Sequence, residues 1–212
     1  RANIREMQQP TGTGFDTVDG ALGGLITGDN VVWLCDEPAV YDALGRGFAI
    51  AAVASGQRVL HVGFRDSPAF EDLGIERLDA GPGSLLARPR ALADELDRRF
   101  HGDRPDCIIV DDLAGPVRRW GSGEAFDFFA RTCPTMLQHG VTAYWCVRSS
   151  FGRSALEAVR QITQCFVDVR SDRLRVIKAE GRAASQQGVS YRLQIDDDDV
   201  VAHRRQVGEV AL

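Results

Sequence analysis

The chain has 212 residues, 44% of them hydrophobic and 26% charged, a balance that suits a soluble globular domain with a full core. No apolar run approaches the roughly 20 residues of a membrane-spanning helix, and the start carries no signal-peptide pattern. The net charge of −5 disfavours nucleic acid as a partner, because phosphate contacts need clustered cations, although a local basic face remains compatible with it.

Residues 1–10 are polar and read as an arm; residues 11–212 read as a single domain. Residues 11–30 are rich in Gly, Thr and Asp and end in a turn at Gly28-Asp29-Asn30. The apolar run 31–35 predicts a strand buried on both faces. Pro38 then suits the first turn of a helix running to about Ala54, which stops at Ser55-Gly56. A second buried strand is predicted at 58–64 (RVLHVGF), followed by a loop with Pro68 and a short strand at 75–78. Residues 81–89 read as a loop and 90–100 as a helix. The run 107–113 (CIIVDDL) predicts a third main strand ending in two aspartates. A helix is predicted over 124–138, a strand over 141–147, a helix over 155–163 and a strand over 164–169. The tail alternates polar and apolar residues at 173–179, 190–195 and 200–203, which predicts antiparallel strands, with Asp196–Asp199 as the last hairpin turn. Alternating strands and helices imply an α/β fold, a mostly parallel sheet with helices on both faces, extended at its C-terminal edge by antiparallel strands.

The five cysteines, Cys35, Cys107, Cys133, Cys146 and Cys165, include no CxxC pair. They read as small buried hydrophobes in a reducing cytoplasm and not as zinc ligands or disulfides. His61 reads as a hydrogen-bonded core histidine, and His101, His139 and His203 share no ligand spacing. Trp33 and Trp145 lie in strand-like runs and read as core. For Arg118-Arg119-Trp120 a solvated loop with a packed Trp is a better reading than a stacking site.

In a sheet of this kind ligands gather at the carboxyl ends of the strands. Residues 11–35, TGTGFDTVDGALGGLITGDNVVWLC, resemble the opening of the KaiC-like branch of the RecA family. The strand RVLHVGF before Arg65-Asp66, the IIVDD run and the closing stretches RLRVIKAEG and YRLQI resemble it too, so the likeness spans nearly the whole chain. It implies a RecA-like fold and a phosphate loop GxxxxGK(S/T) directly after the first strand, with backbone N–H groups cradling phosphate, a Lys on the terminal phosphates and a Ser/Thr on Mg²⁺. This chain has Asp36-Glu37-Pro38-Ala39-Val40-Tyr41-Asp42-Ala43 there. No Gly remains, Pro38 lacks an N–H, and Asp36, Glu37 and Asp42 put negative charge where a polyphosphate would sit. Tyr41 supplies the only hydroxyl. The nearest cation in that helix is Arg46, which would have to reach back past Asp42. For its present role this segment reads as an ordinary strand-to-helix turn with Asp36 or Glu37 capping the helix, and the resemblance concerns its ancestry.

Further site residues follow from the resemblance. Asp111 matches the family's Mg²⁺-linked acid, though a strand-end aspartate also serves to cap a turn. The acidic pair expected after the second strand, whose first member activates water, is Arg65-Asp66 here, so one acid has become a cation. Lys178 stands where a K-x-R-G segment would reach a neighbouring subunit's nucleotide, but the family's arginine is Glu180; an exposed edge-strand charge is the other reading. The expectation is a non-catalytic pseudo-ATPase domain without a cofactor, acting in binding, regulation or assembly with a protein partner or further copies of itself. The alternatives are a divergent nucleotide-using enzyme, in which ATP and Mg²⁺ return with Arg46, Asp66 and Asp111 in altered roles, and a structural domain of a longer chain.

Overall fold

The computed structural model describes residues 12–170, 173–182, 188, 190–196 and 199–204, the last two segments as backbone beyond Arg192. The arm at 1–10 lies outside the described residues, as do Asp197 and Asp198 of the last predicted turn. The central element is β1 (Asn30–Cys35), whose side chains divide by the period of two. Val31, Trp33 and Cys35 join a core beneath α1 (Asp16–Leu22) and α2 (Pro38–Ala54). Val32 and Leu34 join the opposite core, beneath α3 (Pro89–His101), α4 (Ala114–Gln138) and α5 (Arg153–Ile162). Helices on both faces explain why the central strands are apolar throughout and do not alternate.

The remaining strands are β2 (Val59–Gly63), β3 (Glu76–Asp79), β4 (Cys107–Asp112), β5 (Thr142–Val147), β6 (Cys165–Arg170), β7 (Arg173–Ala179), β8 (Ser190–Asp196) and β9 (Asp199–Arg204). They form one nine-stranded sheet in the order β3-β2-β4-β5-β1-β6-β7-β8-β9. The pairs from β3 through β6 are parallel, and β7, β8 and β9 add antiparallel. The chain leaves β1 by way of α2 and crosses to β2 on one side of the sheet. It later returns from β5 over β1 to β6 through α5 on the other face. The carboxyl end of β1 is therefore the point where connections diverge, the usual place for a ligand crevice.

Two elements depart from the expectation. The Gly-rich stretch before β1 contains the two-turn helix α1, closed by Gly23 in the left-handed conformation (φ 77°). Its TG-GFD opening has a packing reason: a Cβ on Gly14 (φ 88°) would lie 2.3 Å from the Gly47 carbonyl oxygen of α2, and one on Gly47 would lie 2.3 Å from the Phe15 ring. α4 starts ten residues before the predicted 124 and breaks at Gly121 (φ 82°, ψ 161°), so Arg118-Arg119-Trp120 sits in its first segment and not in a loop. Trp120 packs edge-on against Phe64 and Phe128 and donates its ring N–H to the Ala87 carbonyl at 2.8 Å.

Candidate functional site

Only Asp36 and Glu37 separate β1 from α2, and Pro38 occupies the first turn of the helix. The residues that the resemblance places in a wrapped loop, 38–43, are already α-helical; the Tyr41 N–H bonds to the Glu37 carbonyl at 3.3 Å. Asp36, Glu37 and Pro38 are exposed at this turn. The segment is the strand-to-helix turn expected, but neither acid caps it: Glu37 occupies the N-cap position without a side-chain cap bond, and Asp36 instead accepts from the backbone N–H (3.0 Å) and hydroxyl (3.1 Å) of Ser149, beyond β5. The Glu37 carbonyl accepts from the Cys35 thiol at 3.2 Å, and burial raises that thiol's pKa to about 11.

Tyr41 points into the core and is fully buried, donating its hydroxyl to the Val110 carbonyl of β4 at 2.6 Å. Burial pushes its pKa well above the ordinary value, so the phenol stays protonated. One residue on, Asp42 is paired with Arg65 at 2.5 Å and accepts from the Ser67 hydroxyl at 3.4 Å. The Asp42 hydrogen bond raises the Arg65 pKa further, against the opposing effect of burial. Position 42, where the resemblance expects lysine, and position 65, where it expects an acid, thus form an ion pair of reversed sign. Arg65 is the cation beside Asp42, and reading along the sequence from Arg46 missed it. Arg46 is held elsewhere, with its guanidinium on both Asp72 carboxylate oxygens at 2.6 and 2.7 Å and on the Ala69 carbonyl at 2.8 Å.

The strand-end acids are also engaged. Asp111 is fully buried; its two oxygens face His61 Nε2 at 3.0 Å and the Phe64 N–H at 3.1 Å. His61 is therefore the hydrogen-bonded core histidine expected, its ring tilted against that of Phe70 at 4.4 Å between ring centres. Asp112 accepts from the Ala114 N–H at 2.8 Å, which caps the turn into α4, and pairs with Arg148. Asp66 is fully exposed, 3.6 Å from Arg77. Among the described residues no cluster of three or more His, Cys, Asp and Glu side chains is arranged to hold a metal ion.

Lys178 corrects the reading of it as an exposed edge charge. β7 is an interior strand, and the ammonium reaches the carbonyls of Arg160 (3.0 Å), Gln161 (3.2 Å) and Thr163 (2.5 Å), with Glu180 at 2.7 Å. It closes the carbonyl end of α5, where the helix dipole favours a cation. Arg182, just past β7, is a structural residue that the sequence did not announce: it bonds the Gly24 carbonyl and Asp29, tying the segment before β1 to the end of β7. All five cysteines are buried and none forms a disulfide, and Trp33 and Trp145 are buried completely. No helix among the described residues is long and apolar enough to cross a membrane.

No family model matches the chain. It is similar to the DNA repair protein RadA of Aquifex aeolicus (strain VF5), a RecA-family protein, with 25% identity over 109 residues. The match covers 51% of this chain and 24% of RadA, so the chain spans about a quarter of that relative's length. This distant likeness and the topology agree on a RecA-like α/β fold.

Proposed function

We propose that this chain is a KaiC-like member of the RecA group that has given up nucleotide binding and works as a non-catalytic module for assembly or regulation. The observation that carries the reading is the state of the β1–α2 junction: a two-residue turn, helix from Pro38, Tyr41 in the core and the reversed Asp42–Arg65 pair. A triphosphate does not fit these residues. The two-residue turn is too short to wrap a phosphate with its N–H groups. Asp42 would face the phosphates with like charge, at a cost of about one to several kcal/mol in a partly dry site. The missing lysine and Mg²⁺ ligand forgo a comparable amount. Together these remove most of the roughly 8 kcal/mol that a micromolar affinity represents.

The enzyme alternative needs Arg46, Asp66 and Asp111 to act together. Each is held differently: Arg46 on Asp72, Asp66 in solvent, Asp111 buried against His61. RadA is described as a DNA repair protein; the acidic net charge of this chain makes a protein partner, or further copies of itself, the better expectation for its own role. Calorimetric titration with ATP, ADP and GTP, with and without Mg²⁺, tests the reading. No heat of binding is expected up to millimolar nucleotide, and micromolar Mg²⁺-dependent affinity refutes the proposal. Light scattering on the same sample reports assembly.

A further inference from the structure

The structure contains a second candidate site on the opposite face of the sheet from α2. A cavity of about 350 Å³ opens between α5 and strands β1, β6 and β7, within the usual size range of small-ligand pockets. Its floor is apolar, formed by Leu34, Leu156, Phe166 and Ile177, and only Phe166 of these is buried outright. Arg153 and Arg160 stand at its wall. The acids beside it are already neutralised, Glu157 by Arg160 at 2.7 Å and Asp168 by Arg170 at 3.0 Å. Arg153 makes no ion pair among the described residues.

The adjoining sheet surface has the same sign of charge. Arg170, Arg173 and Arg192 lie directly opposite one another across β6, β7 and β8, and Arg175 lies opposite Asp168 one rung away. All four are exposed, and none of Arg173, Arg175 and Arg192 makes an ion pair among the described residues. Like charges facing each other across strands are unfavourable on their own. In a chain of net charge −5, such a row beside an apolar hollow makes a local field that attracts anions. Arg153 begins α5 at the same end of the sheet as this row, and the apolar floor extends back from it under the helix.

We propose that this cavity binds a small amphipathic anion, an acyl or aryl chain with a single carboxylate-type head, with the chain on Leu156, Phe166 and Ile177 and the head at Arg153. The cavity meets the β1–α2 junction at Ser149, which bonds Asp36, but its floor and Arg153 lie on the α5 face and do not include residues 36–43, so decanoate binding is read independently of nucleotide binding. Calorimetry with decanoate below its micellar concentration, on the full chain, is expected to give saturable one-to-one binding with a Kd below about 1 mM. The uncharged analogue 1-decanol should bind at least about tenfold more weakly, as should decanoate to Arg153→Glu, whose exposed position keeps the fold. Leu156→Trp should fill the hollow and abolish binding. Absence of saturable decanoate binding overturns the proposal, as does equal affinity for 1-decanol, or unchanged affinity in folded R153E and L156W. Sedimentation with phosphatidylglycerol vesicles in the absence of decanoate binding assigns the arginines to a membrane surface and overturns it as well.

Discussion

Replacing Tyr41 with Gly restores the second glycine of a phosphate-loop pattern, and the structure makes that change destructive. The side chain is fully buried beneath α2 and its hydroxyl bonds the Val110 carbonyl. Deleting a buried aromatic side chain costs about 3–5 kcal/mol. Gly inside a helix adds about 1 kcal/mol, and a carbonyl left without its donor adds about 1–3 kcal/mol. The sum, about 5–9 kcal/mol, is comparable with the whole stability of a typical domain, about 5–15 kcal/mol. Tyr41→Gly is therefore expected to be largely unfolded or to shift the urea midpoint drastically. Tyr41→Phe keeps the ring and loses only the hydrogen bond, about 1–3 kcal/mol, or about 2–12 °C in Tm for a chain of this length. Urea unfolding followed by circular dichroism measures both. If Tyr41→Gly folds within about 1 kcal/mol of the parent, residue 41 is a spare loop position and the argument from its burial is wrong.

Asp42→Lys sets two cations face to face with Arg65, and we expect lower stability and still no Mg²⁺-dependent ATP binding. A double-mutant cycle on Asp42 and Arg65 should give a coupling of about 0.5–1.5 kcal/mol, modest because both groups are partly solvated. Lys178→Met removes the charge that closes α5 and should cost about 1–2 kcal/mol; an unchanged Tm contradicts the capping role. Glu95 is held down at about 2, from an ordinary 4.5, first by its hydrogen bond with Arg98 and then by Arg99. A carboxylate whose folded pKa is depressed stabilises the protein above about pH 4.5, and that contribution is lost as pH falls towards 2. Glu95→Gln should therefore lose less stability than the parent between pH 5 and pH 2.5, as read from urea midpoints on a pH series; an identical acid slope in the two proteins removes Glu95 from the account.

Much of the fold was legible because its periodicities are strong. The doubly buried runs around β1, β2, β4 and β5, the alternation in β7 and the Pro38 start of α2 all place elements within a residue or two of where they lie. α1 was hidden because its glycines at 14, 20 and 23 read as loop, whereas Gly14 serves a close approach to α2 and Gly23 ends the helix. The early start of α4 was hidden by Gly121 and Gly123, which punctuate a sequence that resumes its helix after the break. At the candidate site, composition showed the surplus of carboxylates after β1 but not their partners. Arg65 with Asp42, Ser149 with Asp36 and His61 with Asp111 are 23, 113 and 50 residues apart. Only the parallel sheet order brings those strand ends together, so no local pattern announces the pairs. The edge-charge reading of Lys178 failed for the same reason: its contacts depend on the end of α5 lying beside β7.

The most direct measurement is a high-resolution structure of the protein soaked in a non-hydrolysable ATP analogue with Mg²⁺. The account predicts no triphosphate against residues 36–43, with Tyr41 still bonded to Val110 and Asp42 still paired with Arg65. A triphosphate ordered on the first turn of α2, with Asp42 swung away from Arg65, contradicts it.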